Sequence, residues 1–200
     1  MLETMTREAD PEKKPALLQL IVDYLIDKPL SALTFRGLAT ALDISTFTLV
    51  YHFGNRSELI HEIIGAIADR QRGFELLIDP SDVTLESYFD ALQSVFEVTL
   101  VPQNRAMQRL EFEAQMFEAV QPGRGAMRAV HEELQTRGRD TLIALGIDEK
   151  DAAFESRLLI DTFYGIQVGL VVNDNEERAR EGFDRALQQH RDRVLVLRAL

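Results

Sequence analysis

Three features of the 200-residue sequence predict an all-α protein. Apolar residues recur at helical spacing along almost the whole chain and alternate as in strands almost nowhere. All six prolines fall at breaks in that pattern, where the missing N–H is tolerated. The composition, 46% hydrophobic and 28% charged with eleven glycines, is that of a globular chain with little room for low-complexity linker. The cysteine count of zero excludes a disulfide framework, a thiolate zinc site, an iron–sulfur cluster and a cysteine nucleophile. It fits a reducing, cytoplasmic compartment. The first residues lack the basic and apolar start of a secretory signal, and no eighteen-residue apolar run is present, so no membrane span is expected.

A first short helix carries Leu17, Leu20, Ile21, Tyr24 and Leu25, entered at Pro15 and stopped before Pro29. Thr34 can cap a second, with Phe35, Leu38, Ala39 and Leu42, and a third begins at Ser45. Asn55 and Glu58 have capping-box spacing, and Leu59, Ile60, Ile63, Ile64 and Ile67 then line a helix expected to reach residue 78. Thr84 precedes the cleanest stripe, from Leu85 through Tyr88, Phe89, Leu92, Val95 and Phe96 to Leu100. Met107, Leu110, Ala114 and Phe117 mark the next helix, with Phe112 and Met116 off its stripe, facing cavity, partner or solvent. The pattern from Met127 to Leu145 is expected to be interrupted at Gly138. Segment 148–172 is apolar on nearly every face and is expected to pack on its own core and on a second subunit. Gly165 and Gly169 there permit a close helix approach, between subunits or within the chain. The last helix carries Phe183, Leu187, His190, Val194 and Leu197, and its apolar end resembles a strand. The expected homodimer interface comprises Phe154, Leu158, Phe163, Gly165, Gly169, Val194 and Leu197.

Charge divides the chain. The net charge of −11 argues against coating nucleic acid or anionic membrane through a global basic field. Residues 1–56 hold 6 Lys+Arg against 7 Asp+Glu, and residues 57–200 hold 16 against 26. The acid sits in the last three quarters, leaving the first quarter free for a different task. The expected domains are 1–56, with 1–14 a flexible arm, and 57–200.

Residues 33–53 read as helix, sharp turn, helix, packed on the first helix in a three-helix unit. Thr46, Phe47, Thr48, Tyr51 and His52 remain outward on its third helix, and no acid occurs from Ser45 to Gly54. Such a face suits base edges and phosphates in a major groove, or is the polar surface of a plain helical hairpin. The order L-T-x-R-x-L-A-x-x-L-x-I-S-x-x-T-L-x-Y-H-F-x-N-R-x-E-L, from Leu33 to Leu59, resembles the DNA-binding domain of TetR-family transcriptional regulators.

That resemblance implies an N-terminal helix-turn-helix DNA-binding domain and a C-terminal helical ligand-binding and dimerisation domain. It implies a regulator, most often a repressor, with partners a pseudo-palindromic double-stranded operator, a small-molecule effector and a second copy. The implied DNA contacts are Thr34, Arg36, Ser45, Thr46, Phe47, Thr48, Tyr51, His52 and Arg56. Asp43 stands at the family's usual turn glycine, tolerable because Asp enters the left-handed region. Phe47 replaces the usual small residue or proline. Val50 stands where a phosphate-contacting tyrosine is common, which moves that contact to Tyr51 or removes it. Arg56 stands where lysine is usual and is expected to bind phosphate. Arg36 reads a guanine, or binds a phosphate or an acid such as Asp43. Two recognition helices about 34–36 Å apart would meet successive major grooves. The effector pocket implied in the second domain is assigned to Phe89, Phe96, Phe112, Met116, Phe117, Phe163, Tyr164 and Gln167, with the long fourth helix as lever.

Glu58 and His61 have the spacing of a bundle di-iron site, but neither His131 nor His190 has a glutamate three residues before it. Phosphate loops, nucleophile elbows and metal-ligand spacings are not found, so neither cofactor nor catalytic constellation is expected.

Overall fold

The computed structural model describes residues 13–73, 82–120 and 125–199. These form nine α-helices and one 3₁₀ turn, with no strand among the described residues. The helices are α1 (Lys13–Leu25), α2 (Phe35–Ala41), α3 (Thr46–Phe53), α4 (Arg56–Gly73), α5 (Leu85–Leu100), α6 (Pro102–Ala119), α7 (Ala126–Ala144), α8 (Glu149–Asn173) and α9 (Glu176–Leu197). The 3₁₀ turn, Leu30–Ala32, lies between α1 and α2.

The chain packs as two compact units that part between Ile67 and Ala68. The division thus falls within α4 rather than at its first residue, because Leu59, Ile60, Ile63, Ile64 and Ile67 are all buried in the first unit. The expected arm also ends early. Lys13 and Lys14 are already helical, Pro15 being harmless in a first turn, and Lys14 Nζ donates to Glu62 Oε1 at 2.7 Å. Residues 1–12 and the predicted end of the fourth helix lie outside the described residues.

Short polar side chains start the helices of the first unit. Thr34 Oγ1 accepts from Gly37 N, and Ser45 Oγ accepts from Thr48 N. Asn55 Oδ1 accepts from Ser57 N and Glu58 N while Glu58 Oε2 accepts from Asn55 N, completing the capping box expected there. The turn between α2 and α3 is made by Asp43 at φ 53°, the left-handed conformation its position demands. Ile44 N closes it on Ala39 O. Ile21, Leu25, Leu38, Leu49 and Phe53 are buried, and Leu42 and Ile44 half-buried.

In the second unit one core gathers Tyr88, Phe89, Leu142, Leu145, Ile147, Ala152 and Val194. The other gathers Phe96, Leu100, Leu170, Ala179 and Phe183, with Phe96 stacked on Phe183 at 3.9 Å between ring centroids. Helix α7 runs through Gly138 without a break, correcting the interruption expected there. The glycine serves packing instead: a Cβ at 138 would fall on Ser156 Oγ, which donates to Gln135 O. Gly138→Ala is expected to destabilise by a net of about 1 kcal/mol, overpacking outweighing the gain in helix propensity. Urea denaturation checks this, and Ser156→Ala in the same chain should restore most of the loss. The apolar end of α9 stays helical, Val194 facing the core while Leu195 and Val196 face out.

Candidate functional site

In the first unit α3 presents a continuous outward surface. Phe47 is 76% exposed and Tyr51 61%, their rings stacked at 6.5 Å, with Val50 about half exposed beside them. His52 meets the Tyr51 ring edge-on at 5.0 Å, and Thr46 is exposed. The residues that start the helices have local duties as well: Ser45 Oγ and Thr48 Oγ1 pair at 2.9 Å, and Thr34 caps α2. Each hydroxyl keeps further hydrogen-bonding capacity. Arg36 is exposed on α2 and forms no ion pair among the described residues. Asp43 is likewise exposed and is not paired with it.

Arg56 has a partner that sequence spacing did not reveal. Its Nε donates to Leu33 O at 2.8 Å and its Nη2 to Ser31 O at 3.2 Å, tying the start of α4 to the turn before α2. The Ser57 and Glu58 N–H groups at that helix start are occupied by Asn55. His61 places Nδ1 2.7 Å from Ser57 O, so that nitrogen carries the proton. No cluster of three potential metal-binding side chains occurs among the described residues.

The second unit contains a cavity of about 750 Å³. Of the expected pocket residues, Phe163, Tyr164 and Gln167 line it. Phe89 and Phe96 belong to the two cores, and Phe112 meets the edge of the Tyr164 ring. Met116 is two-thirds exposed and Phe117 half-buried, both away from the cavity. The aromatic stripes thus mostly pack the bundle, and the cavity wall is mainly aliphatic with a few polar groups. Sequence reasoning missed Arg70, Gln71, Gln108 and Glu111, which meet at one end. Gln71 Nε2 donates to Glu111 Oε2 at 3.0 Å, and burial pushes the Glu111 carboxyl up to about 7 against the opposing effects of Gln71 and Arg70. Burial, reinforced by Glu111, also raises the Tyr164 phenol. The available signal was Gln108 and Glu111 one turn apart on a helix whose apolar stripe lies beside them.

Tyr88, a lining residue of the cavity, begins a buried polar chain. Tyr88 Oη and His190 Nε2 are 2.9 Å apart, His190 Nδ1 is 3.4 Å from Glu155 Oε2, and Arg193 Nε donates to both Glu155 oxygens. Burial holds the His190 imidazole well below the usual histidine range, with Glu155 opposing.

Helix α8 leaves Phe154, Leu158, Val168 and Val172 exposed, and α9 leaves Leu195 and Val196. A Cβ at Gly165 or Gly169 would meet nothing within 4 Å. Of the expected interface residues, Phe154, Leu158 and Gly165 therefore face outward. Gly169 is partly covered. Val194 is fully buried and Leu197 packs on the same core, while Phe163 packs edge-on against Phe96 and Phe183. These three are inner-face residues of their own chain, because helical rotation turns them opposite to Leu195, Val196 and Phe154. No described helix is long and apolar enough to cross a membrane.

No protein-family model and no curated protein matches the chain. Solved structures do. A TetR transcriptional regulator from Legionella pneumophila superposes with a TM-score of 0.68 at 18% identity, over 92% of this chain and 98% of that one. The multidrug binding protein EbrR, complexed with imidazole, gives 0.59 at 22% identity over 88% and 96%. A TetR transcriptional regulator from Rhodococcus sp. RHA1 gives 0.55 at 14% identity over 94% and 98%. At such identities the shared property is the fold: this chain has the all-helical fold of solved TetR transcriptional regulators.

Proposed function

We propose that the chain is a sequence-specific DNA-binding regulator of the TetR type, a cytoplasmic homodimer acting as a repressor released by a small-molecule effector. The single observation that carries this reading is the outward face of α3. Thr46, Phe47 and Tyr51 stand exposed on a helix with no carboxylate from Ser45 to Gly54, preceded by a left-handed turn at Asp43. The acid is concentrated in residues 57–200, which repel DNA and leave binding to the N-terminal residues that carry this face. Phe47 and Val50 add apolar surface suited to thymine methyl groups, while Thr46 and His52 suit base edges or phosphates. The exposed apolar faces of α8 and α9 are offered to a second copy, which supplies the second recognition helix. A bound effector acts by preferring one arrangement of the dimer over another, a coupling of about 1–3 kcal/mol being enough for a 5–150-fold change in affinity. In the second unit, Arg70 and Gln71 of α4 line the cavity.

Selection from random duplex DNA tests the reading. A pseudo-palindromic consensus is expected; no enrichment at all would favour a helical ligand-binding bundle without DNA-binding activity. In the same selection Arg36→Ala is expected to relax preference at one base pair of each half-site, a discrimination of about 1–3 kcal/mol. Unchanged preference at every position would reassign Arg36 to a phosphate. Arg56→Ala should weaken binding to all sequences alike, and its loss of the Leu33 and Ser31 carbonyl bonds should also lower the melting temperature of the chain.

A further inference from the structure

We propose that the cavity of the second unit takes an elongated, mostly apolar amine, whose ammonium group seats among Gln71, Gln108 and Glu111. This rests on the effector-binding reading above and specifies its chemistry. Most of the wall is apolar, with Leu92, Val95, Met107, Leu159, Ile160 and Phe163 among its residues. The polar end is different in kind. Gln71 donates one amide hydrogen to Glu111, and its amide oxygen is buried without a hydrogen-bond partner. Gln108, more than nine-tenths buried on the same face of α6 as Glu111, also has an amide oxygen without a partner. Buried polar atoms are nearly always satisfied, so two orphaned acceptors beside a carboxyl group mark missing donors. The terminal torsion of glutamine is soft, and a small turn presents either oxygen to the cavity.

An ammonium group brings three donors to these three acceptors. A hydroxyl brings one. A carboxylate brings none and sets its charge against Glu111, and among Arg70, Gln71, Gln108 and Glu111 only Arg70, which also acts on Glu111, favours it over an ammonium. Arg70 and Gln71 of α4 and Tyr164 of α8 face Glu111, while α7 contributes Arg137 and Asp140 to the cavity wall. Burial holds part of the Glu111 population protonated near neutral pH, and an ammonium beside it favours release of that proton.

The test uses three probes of one chain length below their micellar concentrations: decylamine, decan-1-ol and decanoate, titrated calorimetrically into the full-length protein. Decylamine is expected to bind at least tenfold more tightly than either of the others. Its affinity should rise between pH 6 and pH 8, with proton release visible as a buffer-dependent heat at pH 6.5. Glu111→Gln should remove the preference for amine while decanol still binds, which shows that the cavity is still formed. Gln108→Leu should weaken amine binding several-fold while raising the melting temperature, since it removes an orphaned acceptor. Decanoate as the tightest probe, or equal affinity for all three, would overturn the amine assignment and leave the effector cavity standing. Absence of binding by any probe would overturn both.

Discussion

Replacing Phe154 and Leu158 together by glutamate is expected to convert the protein to a monomer and to reduce operator affinity at least about 100-fold. Both side chains are exposed on one face of α8, 53% and 37%, four residues apart. Four carboxylates facing one another across a two-fold axis would meet where apolar surface was to be buried, and like charges do not desolvate together. A monomer binds only a half-site and loses the effective concentration that linkage gives the second recognition helix, a factor of about 10² to 10⁴. Because neither residue belongs to its own core, far-UV circular dichroism and half-site binding should be unchanged. Sedimentation and gel-shift titration of both proteins check the paired loss. A wild-type chain that sediments as a monomer at micromolar concentration would remove the dimer from the proposed function. Charging Phe163 would be a poorer experiment, since its ring packs against Phe96 and Phe183 and the variant would misfold.

The second large effect is expected at Glu155. This carboxylate is buried at 4% exposure, accepts from Arg193 Nε at 2.9 and 2.8 Å, and faces His190, which in turn meets the Tyr88 hydroxyl. Glu155→Ala leaves a guanidinium and an imidazole without their acceptor and opens space in the interior. Removing one partner of such a buried group costs about 3–5 kcal/mol, and the partial exposure of Arg193 places this case at the lower end. Chemical denaturation at pH 7.5 measures it. The same network gives a pH signature. His190 is held neutral in the folded chain by burial, so its folded pKa lies below that of the unfolded chain. The stability it contributes is present above a pH of about 6.5 and is lost progressively as the pH falls from there through about 4, because over that range only the unfolded state binds the extra proton. Glu111 acts with opposite sign. Its pKa is raised in the folded chain, so its contribution is present at low pH and lost as the pH rises toward 7. In a Glu111→Gln background the acid-side decline due to His190 should therefore stand out more steeply.

Most of the scaffold was legible before any coordinates. Thr34 and Asn55 cap helices as their spacing predicts, and Ser45 and Thr84 cap the helices expected to begin there, since capping depends on a few neighbouring residues and little else. Asp43 takes the left-handed turn for the same local reason. Gly138 was misread as a break because glycine's low helix propensity is a weak prior, overridden here by the close passage of Ser156. The site divided in the same way. The outward face of α3 follows from helical rotation around Leu49 and Phe53, whereas the Arg56 carbonyl bonds join residues more than twenty positions apart, and no spacing rule reaches them.

What the sequence determined by itself was periodic and local: an all-helical chain, its helix starts, a helix-turn-helix with an acid-free outer face, and acid concentrated in the later residues. Only the tertiary structure decided which side of each helix became inside. Aromatic stripes at Phe89 and Phe96 packed into cores, while Gln71, Gln108 and Glu111 from two helices met at one cavity end. Val194 turned inward and Leu195 outward. Periodicity gives the angle between side chains on one helix, but burial depends on how the neighbouring helices are rotated and how closely they approach. Those quantities are set by long-range packing, which residues forty or a hundred positions apart determine jointly.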